Sequence, residues 1–167
     1  MLHFAGGSAH AYTSWPNQLN KDIDLYTIVL SGKDPRRKEM PHTTVKSAVN
    51  HLLPLLQLQL DKPYVLYGHS LGALLAYEMA LELSRENAVL PEKLIVSGTR
   101  APNTPLGRPP LKTLPYHQIV NYIRSLCGTP GKVLTTDELM AFLMPVIIAP
   151  SSYTHLTLLT TPTILLP

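Results

Sequence analysis

The chain has 167 residues, about the size of one domain, with 45% hydrophobic and 15% charged residues. This composition is typical of a globular protein and excludes a disordered tail or a nucleic-acid-binding arm. The net charge of +3, from 14 basic and 11 acidic side chains, indicates only a mild preference for acidic partners.

The single cysteine, Cys127, has no partner within the chain for a disulfide, which indicates a reducing, cytoplasmic location. The first residues lack the basic and apolar pattern of an export signal. The longest apolar stretch, residues 139–150, has 12 residues, whereas a membrane-spanning helix needs about 20. We therefore expect neither a membrane nor a nucleic acid among the partners.

Short apolar runs rich in β-branched and aromatic residues predict three buried strands, at residues 25–30, 64–67 and 94–96. Two segments of helical length lie between them, at residues 43–60 and 71–85, with apolar residues at three- and four-residue spacing. Strand and helix alternate, which predicts an α/β protein with a mostly parallel sheet covered on both faces.

After Gly98 the pattern changes to a proline-rich loop and two predicted helices, at residues 116–126 and 136–148, with no strand between them. They are predicted to form an inserted helical hairpin. Its apolar faces are suited to covering an apolar ligand in a cleft, although any amphipathic helix must bury one face in the core. The predicted substrate-lining residues are Ile123, Phe142 and Val146.

The segment Gly68-His69-Ser70-Leu71-Gly72 connects a predicted strand to a predicted helix. A G-x-S-x-G sequence in this context is typical of a nucleophile elbow, in which a sharp turn lifts the serine into a cleft. Ser70 is therefore the predicted catalytic nucleophile, and the backbone N–H of Leu71 can donate to a developing oxyanion. The simpler alternative is a serine that only caps a helix.

A second oxyanion donor is expected in the small-residue loop at residues 4–9 (FAGGSA), with Ala5 as the candidate, although the same residues can form an ordinary turn. The histidines and the cysteine do not have the spacing of metal ligands, and the glycines lack the pattern of a phosphate-binding loop. We therefore predict no metal and no cofactor.

Taken together, these motifs resemble the type II thioesterases, from about residue 2 to about residue 149. The similar segments are Phe4-Ala-Gly-Gly-Ser-Ala, Tyr67-Gly-His-Ser-Leu-Gly-Ala, Val96-Ser-Gly-Thr-Arg-Ala-Pro and Leu126-Cys-Gly-Thr-Pro. The resemblance implies an α/β-hydrolase fold with a helical lid. The core is expected in residues 1–105 and the lid in residues 106–150. Residues 151–167 would begin the return to the core, with one more strand at residues 163–166.

The resemblance also implies the function, which is the hydrolysis of acyl thioesters from the phosphopantetheine arms of acyl or peptidyl carrier proteins. Such enzymes act in nonribosomal peptide, polyketide or fatty-acid biosynthesis. Ser70 matches the family's nucleophile, and Ala5 and Leu71 match its oxyanion donors. A complete protein of this kind is expected to be a monomer.

A serine hydrolase of this fold also needs an acid and then a histidine after the serine in chain order. The family's positions for both would follow Pro167, and Met1–Phe4 matches only the last part of the family's first strand. We therefore expect the chain to be truncated at both ends and the activity of these 167 residues to depend on the missing partners. His117 and His155 are the alternative bases within the chain.

The competing function is an inactive α/β-hydrolase relative that only binds an acyl chain or a carrier protein. An acyltransferase would share the Gly-His-Ser-Leu-Gly elbow. It is disfavoured because Ala73 stands where a glutamate commonly follows in that class.

Overall fold

The computed structural model describes residues 1–5, 7–33, 35–42, 44–99 and 113–125. Two short 3-10 helices, Ala9–Tyr12 and Trp15–Asn17, precede the regular elements. In chain order these are α1 (Val45–Gln57), β1 (Val65–His69), α2 (Leu71–Arg85), β2 (Lys93–Ser97) and α3 (Tyr116–Ser125).

The two strands are parallel, with Val65 opposite Lys93 and His69 opposite Ser97. Parallel strands require a crossover connection, which is usually a helix, and here the crossover is α2. The prediction of a parallel sheet with intervening helices is therefore confirmed for the part of the chain that is described.

The N-terminal segment extends the sheet on the other side of β1. Leu2 forms parallel bridges to Gly68 and to Ile28, so this segment lies between β1 and the chain around Ile28. The predicted strand at residues 25–30 is wrong as a regular strand, because only Ile28 pairs. After Leu2 the N-terminal segment leaves the sheet in a turn. In this turn the N–H of Gly7 donates to the carbonyl of Phe4 at 2.9 Å.

Helix α1 is shorter than the predicted segment, residues 43–60. Thr44 caps its start, since its Oγ1 accepts the backbone N–H of Ser47 at 3.1 Å. Pro54 lies inside the helix and has no N–H to donate to the preceding turn. The helix ends three residues later, and the carbonyl of Leu56 accepts the N–H of Gln59 in a tighter turn.

Helix α2 has the predicted bounds and packs against both strands and α1. Apolar residues occupy most of its circumference, which is why it is the most buried helix of the described chain. The core between α1, α2 and the sheet contains Leu2, Leu30, Ala48, Val49, Leu52, Leu53, Leu66, Leu75, Ala76, Met79, Ala80 and Leu83.

Part of the predicted architecture lies outside the described residues. Of the lid segment, residues 106–150, only residues 113–125 are described, and they contain α3. Residues 151–167, with the strand predicted at residues 163–166, are outside the description as well. The helices of the described ranges include none of the length and apolarity that crossing a bilayer requires.

Candidate active site

Ser70 is the single residue between β1 and α2, and its backbone is strained. Its φ of 55° and ψ of −111° lie in a region that residues with a side chain rarely adopt. Such a conformation costs about 1–3 kcal/mol and is concentrated at functional sites. Its Oγ does not cap the helix, so the side chain is available for chemistry. This is the strand, turn and helix geometry of a nucleophile elbow.

Two glycines allow the elbow to be this sharp. A Cβ on Gly68 would lie 2.1 Å from the carbonyl oxygen of Gly72, and a Cβ on Gly72 would lie 2.1 Å from the carbonyl oxygen of Leu2. Both clashes are with backbone atoms, which cannot rotate out of the way as a flexible side chain can. The close approach of α2 to β1 and to the N-terminal segment therefore requires glycine at both positions.

The turn after Leu2 brings Ala5 to the same edge of the sheet as Ser70. The N–H of Leu2 donates to the carbonyl of Tyr67, and the N–H of His69 donates to the carbonyl of Leu2, at 2.8 and 3.2 Å. Because the two segments are parallel, the chain passes through Phe4 to Ala5 beside the end of β1, where the elbow begins. Functional groups gather at this carboxyl edge in open α/β sheets.

Leu71 is the first residue of α2, so its N–H has no intrahelical acceptor. The N-terminus of a helix also favours negative charge through its dipole. The structure thus places Ser70 and Leu71 at the edge of the sheet to which the turn with Ala5 also leads.

His3 supports the turn that carries Ala5, a role that no pattern in the sequence predicts. Its side chain is buried, and its Nδ1 lies 2.8 Å from the carbonyl oxygen of Phe4. A carbonyl only accepts, so Nδ1 carries the proton. Nε2 is buried and has no hydrogen-bond partner among the described residues. Burial lowers the pKa of His3; the hydrogen bond to Phe4 opposes this effect and the charge of Lys33 adds to it, and the net shift favours the neutral ring.

A hydroxyl network lies beside the elbow. Ser97 Oγ is 2.9 Å from His69 Nδ1 and 2.9 Å from the hydroxyl of Tyr67. The aromatic rings of Tyr12 and Trp15 pack against Tyr67 on the same side. Ser97 belongs to the Val96-Ser-Gly-Thr-Arg-Ala-Pro segment, but the sequence predicts no role for it, because its partners depend on the register of two strands.

The loop after Leu30 contains an ion pair and is hydrogen-bonded to α1. Arg36 donates to both carboxylate oxygens of Glu39 at 2.7 and 2.6 Å, and its Nη2 lies 2.7 Å from Nε2 of His51. Together with the hydroxyl of Ser31, the guanidinium lowers the pKa of Glu39 to about 2. These contacts are structural, and no His, Cys, Asp or Glu cluster among the described residues has the makings of a metal site.

Only one of the three predicted substrate-lining residues lies in the part of the chain that the structure describes. Ile123 lies on α3, whereas Phe142 and Val146 fall outside the described residues. Of the two alternative bases, His117 is exposed on α3 and His155 is outside the description. His69 is engaged by Ser97, as described above.

Comparison with known proteins agrees with this geometry. The family model of the thioesterase domain matches residues 1–155. The gramicidin S biosynthesis protein GrsT of Aneurinibacillus migulanus is 35% identical over 144 residues, which are 86% of this chain and 56% of that protein. The thioesterase PikA5 of Streptomyces venezuelae is 31% identical over 145 residues, 86% of this chain and 51% of that protein.

Among solved structures, YbtT, described as a type II thioesterase from the yersiniabactin NRPS/PKS biosynthetic pathway, superimposes with a TM-score of 0.79 at 27% identity. The superposition covers 93% of this chain and 64% of that one. The predicted α/β-hydrolase fold is therefore confirmed. The chain spans little more than half the length of the curated relatives GrsT and PikA5.

Proposed function

Since the chain belongs to the thioesterase family, we propose that it hydrolyses acyl thioesters carried on the phosphopantetheine arms of acyl or peptidyl carrier proteins. The proposed setting is nonribosomal peptide, polyketide or fatty-acid biosynthesis. The observation that carries the proposal is Ser70, held at positive φ between β1 and α2. The names of the relatives support the substrate class, since two of them come from peptide or polyketide pathways.

In this mechanism Ser70 Oγ attacks the carbonyl carbon of the thioester while its proton passes to a histidine base. The C–S bond then breaks, and the thiol leaves with that proton. Water hydrolyses the resulting ester by the same route and releases the acid. The N–H groups of Ala5 and Leu71 are proposed to bind the carbonyl oxygen as it becomes negative.

His69 is unsuited to be the base, because its Nδ1 is engaged by Ser97 and its ring packs edge-on against Phe4. His117 and His155 stay candidate bases within the chain. The acyl chain is proposed to lie under the lid, against Ile123, Phe142 and Val146.

A cytoplasmic location and action as a monomer belong to the same proposal. The single cysteine supports a reducing location, because it leaves no disulfide pair within the chain.

The alternative function, an inactive relative that only binds acyl chains or carriers, is not favoured. A binding protein does not need a serine in a strained backbone conformation, nor two glycines at which any side chain would collide with backbone. Both features are present here, and both serve the presentation of a nucleophile.

The test measures the release of octanoic acid from octanoyl-phosphopantetheine by the purified full-length protein. We expect Ser70→Ala to lower turnover by about 10³-fold or more. Ser84→Ala is the matched control, because Ser84 is exposed at the other end of α2. Turnover by Ser70→Ala equal to that of the control would contradict the proposal.

A further inference from the structure

The Ser97-Gly98 pair at the end of β2 has no part in the mechanism above, yet it contacts both sides of the elbow. We propose that Ser97 is a positioning residue that holds the nucleophile Ser70 in its productive conformation by clamping His69. This inference rests on the proposed function, and it adds a residue that does not touch the substrate.

The backbone of Ser97 holds the elbow directly. His69 and Ser97 are opposite each other in the register of β1 and β2. The carbonyl of Ser97 accepts the N–H of Ser70 at 2.8 Å. The pairing of the strands therefore extends one residue beyond β1, into the strained residue itself, and Ser97 is the last residue of β2 to contribute.

The side chain of Ser97 binds the two residues of β1 that share a face next to the elbow. Its Oγ lies 2.9 Å from the hydroxyl of Tyr67 and 2.9 Å from Nδ1 of His69. A hydroxyl can donate one hydrogen bond and accept another, so a single oxygen serves both partners. Tyr67 is itself fixed by ring contacts with Tyr12 and Trp15. The bond to His69 therefore joins the elbow to a rigid aromatic cluster.

Two further contacts confine the ring of His69. Phe4 meets it edge-on, with ring centroids 6.0 Å apart and an interplanar angle of 86°. Gly98 has a φ of 64°, and a Cβ there would lie 2.2 Å from Cε1 of His69. The ring thus fills the space that a side chain at residue 98 would need. Phe4 also begins the turn that carries Ala5, so the clamped ring contacts both parts of the candidate site.

Clamping His69 matters because this residue directly precedes Ser70. The strained φ of Ser70 relaxes if the peptide between the two residues rotates, and such a rotation would carry Oγ away from the substrate. The Ser97 carbonyl holds the N–H of that peptide, and the Ser97 hydroxyl holds the side chain on its other end. Removal of the hydroxyl should therefore misplace the nucleophile without removing any group that binds the acyl chain. A displacement of about 1 Å can cost about 100-fold in rate.

The experiment compares three variants of the purified protein with octanoyl-phosphopantetheine as substrate. Ser97→Ala removes the hydroxyl, Ser97→Thr keeps it, and Tyr67→Phe removes only the other partner of the network. For Ser97→Ala we expect kcat to fall by about 10- to 100-fold with KM changed less than twofold. Ser97→Thr should restore kcat to within about threefold of the wild type. Tyr67→Phe removes the bond to the aromatic cluster but keeps the bond between Ser97 and His69, so it should lower kcat by less than Ser97→Ala does.

The outcomes separate positioning from a structural role. A kcat of Ser97→Ala within twofold of the wild type, or a rise in KM alone, would overturn the proposal. So would a loss in Ser97→Thr as large as that in Ser97→Ala. If Ser97→Ala does not fold, Ser97→Cys takes its place under the same criteria, because a thiol has nearly the same shape but is a weak donor.

A full-length wild-type protein without thioesterase activity would instead contradict the proposed function. The ¹⁵N chemical shift of His69 Nδ1 then tests the proposed hydrogen bond between Ser97 and His69 independently of activity. A shift that changes in Ser97→Ala and is restored in Ser97→Thr supports it, and an unchanged shift overturns it.

Discussion

Replacement of Gly72 by alanine tests the closeness of α2 to the N-terminal segment. The added Cβ would lie 2.1 Å from the carbonyl oxygen of Leu2 and 2.9 Å from that of His3. Real Cβ atoms essentially never approach another heavy atom closer than 3.0 Å, so α2 and Leu2 must separate by at least 0.9 Å. The Leu2 carbonyl accepts hydrogen bonds from the N–H of His69 and the hydroxyl of Tyr12, at 3.2 and 3.0 Å. A separation of α2 from Leu2 would disturb both of these hydrogen bonds.

The expected cost follows from these contacts. Overpacking costs about 1–3 kcal/mol, and the loss of two hydrogen bonds adds about 1 kcal/mol each. The expected loss in the free energy of unfolding is therefore about 3–5 kcal/mol, out of a total that is about 5–15 kcal/mol for a typical domain.

Urea denaturation followed by circular dichroism measures this loss. Ser84→Ala, on the exposed end of the same helix, is the control and should change stability by no more than about 0.5 kcal/mol. If Gly72→Ala unfolds at the same urea concentration as Ser84→Ala, α2 does not press against Leu2 and the reasoning about the elbow is refuted.

Three further predictions concern the core and the lid. Because burial lowers the pKa of His3, the unfolded chain binds a proton below about pH 6.5 that the folded chain does not, and stability falls as the pH drops below that value. His3→Asn should have a smaller difference in Tm between pH 7.5 and 5.5 than the wild type. Tyr12→Phe removes the hydroxyl that donates to Leu2, and urea denaturation should show a loss of about 1 kcal/mol. Ile123→Ala and Phe142→Ala should alter the ratio of hydrolysis rates for short and long acyl chains, and an unchanged ratio would contradict the assignment of substrate contacts.

The accuracy of the sequence-based prediction depends on how local the determining contacts are. The bounds of α2 could be predicted because a strand, a Gly-x-Ser-x-Gly turn and an apolar helix are adjacent in the sequence. The same local signal predicts the sharp turn at Ser70. The end of α1 was predicted less well, because the apolar spacing continues past Pro54 although the helix ends soon after it.

The roles of His3 and Ser97 could not be predicted, because they depend on contacts between separate segments. Ser97 meets His69 only through the register of β1 and β2, 28 residues apart. His3 is fully buried, because the N-terminal segment lies inside the sheet between β1 and Ile28.

The assignment of Ser70 as the nucleophile is tested most directly by mapping the adduct of a fluorophosphonate probe. The purified protein is treated with the probe and digested, and the modified peptide is sequenced by mass spectrometry. We predict one adduct, on Ser70, and no labelling of Ser70→Ala. An adduct on Cys127 or on another serine, with Ser70 unmodified, would contradict the account.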